Sequence, residues 1–163
     1  MEEILELKEK LYQGDLEAAI AICDELETMG RQDKINTLEN FLVVLIVHLI
    51  KIQIENRVTA SWVESIRNSL LEIKDRNKLG KKSHYIKRGN WSESYDRKLY
   101  RAIIKASQEV AGGMEIKDLQ AKIDNDSLKN KTLYLLDSIY HLSEEQIVES
   151  LSEVLRSKNP PNI

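Results

Sequence analysis

The 163-residue chain contains one cysteine, two prolines, six glycines and one phenylalanine. The single Cys23 excludes an internal disulfide and a zinc site built from cysteines. Next to Ala21, Ile22 and Leu26 it reads as a small hydrophobe, and Asp24, Glu25 and Glu27 disfavour its thiolate. So few prolines and glycines exclude collagen-like and low-complexity chains. The acidic start Met1-Glu2-Glu3 lacks the basic region of a secretory leader. The longest apolar run, Phe41–Ile50, is interrupted by His48; even extended to Ile54 it is shorter and more polar than the roughly 20 residues a membrane helix needs. No glycine-rich phosphate loop or locally supported Ser/His/Asp arrangement occurs, and His84 and His141 lack metal-ligand spacing. These absences point to a cytoplasmic chain with no membrane partner, no cofactor and no expected enzymatic activity.

What is present is helix-forming. Hydrophobic residues make up 42% and charged residues 31%, rich in Leu, Ile, Glu and Lys, which favours an all-α fold of one domain's size. Ile4, Leu5, Leu7 and Leu11 give helical spacing over Glu2–Tyr12, after which Gly14 suits a left-handed stop and Asp15 a helix cap. A second helix is expected over Leu16–Met29, ended by Gly30, and a long central one over Asp33–Asn56, apolar almost all round between Phe41 and Ile50. Thr59 or Ser61 would cap a fourth helix, from Trp62 to about Asn77, and residues 78–90 read as a loop. Ser92 or Ser94 would cap a fifth, ending before Gly112-Gly113. Ser127 and Ser143 would start two more, forming a C-terminal helical hairpin that packs on the bundle or swaps onto a partner. Ser143-Glu-Glu-Gln146 has the form of a capping box.

Charge is sorted along the chain. Residues 1–30 hold nine acidic and two basic side chains, net −7; residues 74–105 hold eleven basic and three acidic, net +8. The two segments suit each other within one fold or across a dimer.

One stretch carries a recognisable pattern. Glu25-Leu-Glu27-Thr-Met29-Gly30 is followed by Lys34, then by a helix end His48-Leu-Ile-Lys51, then by Ser61-Trp62. In order and spacing this resembles the family called "domain of unknown function 29", over about residues 1–112. The resemblance implies a small bacterial all-α protein and assigns no activity, substrate or cofactor. The expected organisation is a single all-α domain over 1–158, with a family-like bundle at 1–112, a helical extension at 113–158 and a frayed tail at 159–163.

Three groups of side chains are candidates for function. His48 would meet Asp24 and Glu27 if a turn at Met29-Gly30 folded the second and third helices together. A histidine with two carboxylates holds a divalent metal or a tuned proton, and the structural reading is a histidine that keeps two helices in register. Lys34, in a helix's first turn, would take a carboxylate from Glu25 or Glu27 as a structural ion pair. Lys78, Lys81, Lys82, Lys87 and Arg88, with Trp91 nearby, suit phosphate neutralisation and base stacking, or docking to an acidic protein surface. The leading reading is a non-enzymatic protein that binds itself or an unknown protein partner. The alternatives are a nucleic-acid-associated protein using 78–105, and a metal or proton site at His48.

Overall fold

Seven α-helices and one minimal hairpin make up the computed structural model, which describes residues 1–158 and is 80% helical; the tail expected at 159–163 lies outside the described residues. The helices are α1 (Glu2–Tyr12), α2 (Leu16–Glu55), α3 (Ala60–Arg76), α4 (Trp91–Glu109), α5 (Ile116–Lys122), α6 (Asn125–Ser138) and α7 (Glu144–Arg156). Lys78–Leu79 (β1) pairs antiparallel with Ser83–His84 (β2). The chain divides into two compact units, Met1–Thr37 and Leu38 onward.

The largest departure from expectation is α2. The second and third helices expected from the sequence are one unbroken helix of 40 residues. Gly30 keeps helical backbone, at a cost of about 1 kcal/mol relative to Ala, and its neighbours Met29, Arg31 and Gln32 are good helix formers. A lone glycine with no following proline therefore does not stop the helix. By length and composition α2 is also apolar enough to cross a membrane, contrary to the expectation drawn from Phe41–Ile50 alone, and 56% of its apolar window is buried inside the fold.

Other punctuation reads as expected. Gly14 is left-handed, with φ +73°, and Asp15 accepts a hydrogen bond from the Ala18 amide at 3.1 Å. Thr59, not Ser61, caps α3, accepting from the Trp62 amide at 3.1 Å. The capping box of α7 is complete: the Gln146 amide donates to Ser143 Oγ at 3.2 Å and the Ser143 amide to Gln146 Oε1 at 2.9 Å. Three starts differ. Asn90, without a side-chain bond, precedes α4 in place of Ser92 or Ser94. Asp124 rather than Ser127 caps α6. The short α5 was not anticipated, because seven residues with one buried side chain, Leu119, carry no usable periodicity.

In the second unit the core follows from α2. Leu38, Leu42, Leu45, Ile46 and Ile50 are wholly buried, so neighbours enclose most of this half of the helix, with the Val44 and His48 edge left partly open. Residues beyond 112 supply ten of the thirty buried apolar side chains. The last two helices do not stand apart as a hairpin: α7 packs chiefly on α3 and α6 on α4.

A buried polar hub fixes the 78–90 segment. Asn77, fully buried, accepts from the Ile86 amide at 2.8 Å and donates to the Ile86 carbonyl at 2.9 Å, as a paired strand would. Tyr140 Oη accepts from Trp91 Nε1 at 2.7 Å and Asn77 Nδ2 at 3.1 Å, and donates to the Ile86 carbonyl at 2.6 Å. Burial raises the Tyr140 pKa above its ordinary value, against the opposing pull of the Trp91 and Asn77 hydrogen bonds, so the phenol keeps the proton it donates. Asn77→Ala orphans the buried Ile86 amide. It is expected to lower stability by about 2–3 kcal/mol, read as a lower urea midpoint with unchanged slope.

Candidate functional site

The family-like residues His48, Lys51 and Trp62 meet at the seam of α2 with α3 and α4. Two ion pairs join α2 to α4: Glu39 Oε2 to Arg97 Nη2 at 3.1 Å, and Lys51 Nζ to Glu109 Oε2 at 3.0 Å. Both contacts advance twelve residues on each helix, so α2 and α4 run parallel in fixed register. The helix α3 runs antiparallel to α2. Near one end Lys51 Nζ lies 5.9 Å and Arg57 Cζ 4.9 Å from the Trp62 ring centroid; near the other, Arg76 Cζ lies 5.6 Å from that of Phe41. Cations over aromatic faces are attracted by the ring quadrupole. Trp62 is thus packed and cation-covered.

His48 is half-buried, with Nδ1 2.8 Å from the Val44 carbonyl. A carbonyl only accepts, so Nδ1 carries the proton and Nε2 the lone pair. Burial lowers the His48 pKa; the Val44 carbonyl opposes this, Lys51 adds to it, and Glu109 opposes it. The neutral ring borders a shallow cavity of about 370 Å³ lined by Val44, Val47, Lys105, Gln108 and Glu109. This arrangement can accept one proton or one hydrogen bond. Among the described residues, no three His, Cys, Asp or Glu side chains gather as metal ligands.

The expected cluster of Asp24 and Glu27 with His48 does not form. They share one continuous helix, so no turn at Met29-Gly30 brings them together, and the rise of about 1.5 Å per residue separates them along its axis. Asp24, Glu25, Glu27, Met29, Gly30, Lys34 and Cys23 are all exposed. Lys34 sits in mid-helix, away from any terminal dipole, which removes the reason for its expected partner; Glu27 instead faces Arg31 at 3.8 Å, one turn on. Ser61 is exposed.

The basic segment is also rearranged. Trp91 is 2% exposed and its indole N–H is used by Tyr140, so it is no stacking platform. Arg88 is held bidentately by Asp137, with Nη2 2.8 Å from Oδ2, which keeps the Asp137 carboxyl below the usual range. Lys78, Lys81, Lys82 and Lys87 stay exposed. Sequence reasoning missed Glu39, Arg97 and Glu109, since their partners lie 58 positions away and no local pattern marks them.

A larger cavity of about 500 Å³ lies where α2 and α7 end and α6 begins. Its polar groups serve those ends. Gln53 clasps the Asp124 backbone at 2.8 and 3.1 Å, and Lys131 Nζ donates to the Ser157 carbonyl at 2.6 Å. The helix-terminal carbonyls offset its cations.

A family described as "Domain of unknown function DUF29" matches residues 2–112, or 111 of the 163. No curated protein and no solved structure matches.

Two outcomes follow from this seam. Lys51 has 11% of its side chain exposed and Glu109 has 55%, so the pair is asymmetric. Glu109→Gln strands a nearly buried ammonium and is expected to cost about 2 kcal/mol, whereas Lys51→Met leaves a hydrated carboxylate and costs under about 1 kcal/mol; thermal or urea unfolding ranks them. Because the folded His48 pKa lies below the ordinary 6.5, its neutral form carries no cost above that pH. Below it the unfolded ring binds a proton that the folded ring resists, so stability falls with pH. His48→Gln is expected to flatten the acid side of the stability–pH curve.

Proposed function

The chain belongs to the family described as "Domain of unknown function DUF29", and from that premise we propose that it is a non-enzymatic, cytoplasmic interaction module that binds a second copy of itself. One observation carries this reading: the apolar surface of the first unit is left uncovered. Ala19 is its one buried hydrophobic side chain, while Leu5, Leu16 and Ile20 are 63%, 65% and 61% exposed, with Leu11 and Met29 also open. Helices this short of core are marginal alone in water, and exposed apolar clusters of this kind mark interaction sites.

Magnitudes and charge select the partner. Covering half of each of those five side chains is worth roughly 4–7 kcal/mol, which meets only the low end of the roughly 4–15 kcal/mol cost of association. Attraction must supply the rest. Residues 1–30 carry net −7 and residues 74–105 net +8, so a second copy offers the complementary field.

Light scattering on the eluting protein tests this. The wild type is expected at double the 18.8 kDa chain mass, dissociating as salt rises from about 0.1 to 1 M and the Debye length falls from about 10 to 3 Å. The Leu5→Glu/Ile20→Glu double variant, altered at exposed positions, is expected at 18.8 kDa. A wild type that runs as a single chain at low salt overturns the proposal.

A further inference from the structure

We infer that the shallow cavity between α2 and α4 is the receptor for the first unit of a second copy, taking the exposed face of its α2 over residues 16–27. This rests on the self-association proposed above and adds the surface that receives it.

The receptor side is assembled from two helices. The cavity of about 370 Å³ runs along Val44 and His48 of α2 and Lys105 and Gln108 of α4. Its setting is apolar and cationic together. Val44 is 36% exposed, unusual for a large hydrophobic side chain in this unit. The ion pairs of α4 use Asp96, Arg97 and Glu109. Arg101 and Lys105, one helical turn apart and exposed, have no carboxylate partner among the described residues. A surface that is concave, partly apolar and edged by free cations fits an amphipathic acidic helix.

The ligand side has the matching pattern. Leu16, Ile20 and Cys23 recur at i, i+4 and i+7 on one face of α2, all exposed. Asp24 and Glu27 continue and flank that face, also exposed. Apolar groups would enter the cavity beside Val44 while the two carboxylates meet Arg101 and Lys105. Each copy carries both halves of the contact, and an arrangement in which each copy fills the other's cavity is a closed twofold dimer. The −7 and +8 segments of the sequence thereby acquire a defined meeting point.

A charge-swap experiment tests this surface. Arg101→Glu/Lys105→Glu is expected to weaken self-association at least about tenfold, and so is Asp24→Lys/Glu27→Lys. All four positions are exposed, and circular dichroism checks that the helices persist. When the two variants are mixed, both contacts again join opposite charges, and a heterodimer is expected. Variants that dimerise separately as the wild type does, or a mixture that stays monomeric, overturn the receptor assignment while a dimeric wild type leaves self-association standing. A monomeric wild type overturns both.

The lone cysteine gives a second readout that needs no substitution. Cys23 is labelled with a benzophenone maleimide in an equal mixture of ¹⁵N and unlabelled chains, which is then irradiated. Links from Cys23 to α4 peptides that join the two isotopes are expected. Links confined to one isotope, or joining the isotopes elsewhere, overturn the assignment.

Discussion

From Leu38 to Ile52 the helix α2 has apolar side chains on all its faces, and a helix of that kind is stable only where other elements enclose it. Most of the second unit answers this requirement. The antiparallel α3 and parallel α4 flank α2, and the segment beyond residue 112 completes the cover, with α6 lying on α4 and α7 on α3. The family match ends at residue 112, yet a third of the buried apolar side chains come after it. In this chain the enclosure is physically incomplete without its C-terminal helices.

Polar contacts then choose one arrangement among those that packing allows. Glu39 pairs with Arg97 and Lys51 with Glu109, so the order of charge is reversed between the two ends of the seam. Turning α4 end for end would set Glu39 against Glu109 and Lys51 against Arg97, and a like charge beside the nearly buried Glu39 or Lys51 is costly. The direction of α4 is therefore specified by repulsion as much as by attraction. At the far end of α3, Asn77 and Tyr140 satisfy Ile86 and the Trp91 indole without water. A fully paired network of this kind specifies a unique loop path where a partly paired one would be a liability.

The first unit follows another logic. Its apolar side chains remain open and its charge is acidic. The exposed family-like positions Glu25, Glu27, Met29 and Lys34 lie on this unit, and the half-buried His48 and buried Lys51 lie on the other. The pattern that identifies the family thus joins two kinds of constraint: surface chemistry upstream of Leu38, and packing with ion pairing downstream of it.

Features decided over a few neighbouring residues were legible in the sequence. The all-α class, the turn at Gly14, a cap at Thr59 or Ser61, the capping box at Ser143 and the burial of most of the Phe41–Ile50 helix depend on propensity and on contacts three or four positions apart. Features that needed a distant partner were not. Gly30 stayed helical because nothing on either side favoured a stop, and that dissolved the expected meeting of His48 with Asp24 and Glu27. Trp91 was taken out of solvent by Tyr140, 49 positions later; Lys51 found Glu109, and Arg88 found Asp137. Local backbone energetics choose helices and caps, whereas the neighbour of a side chain across a seam is chosen by the simultaneous packing of every helix, and only the tertiary structure carries that choice.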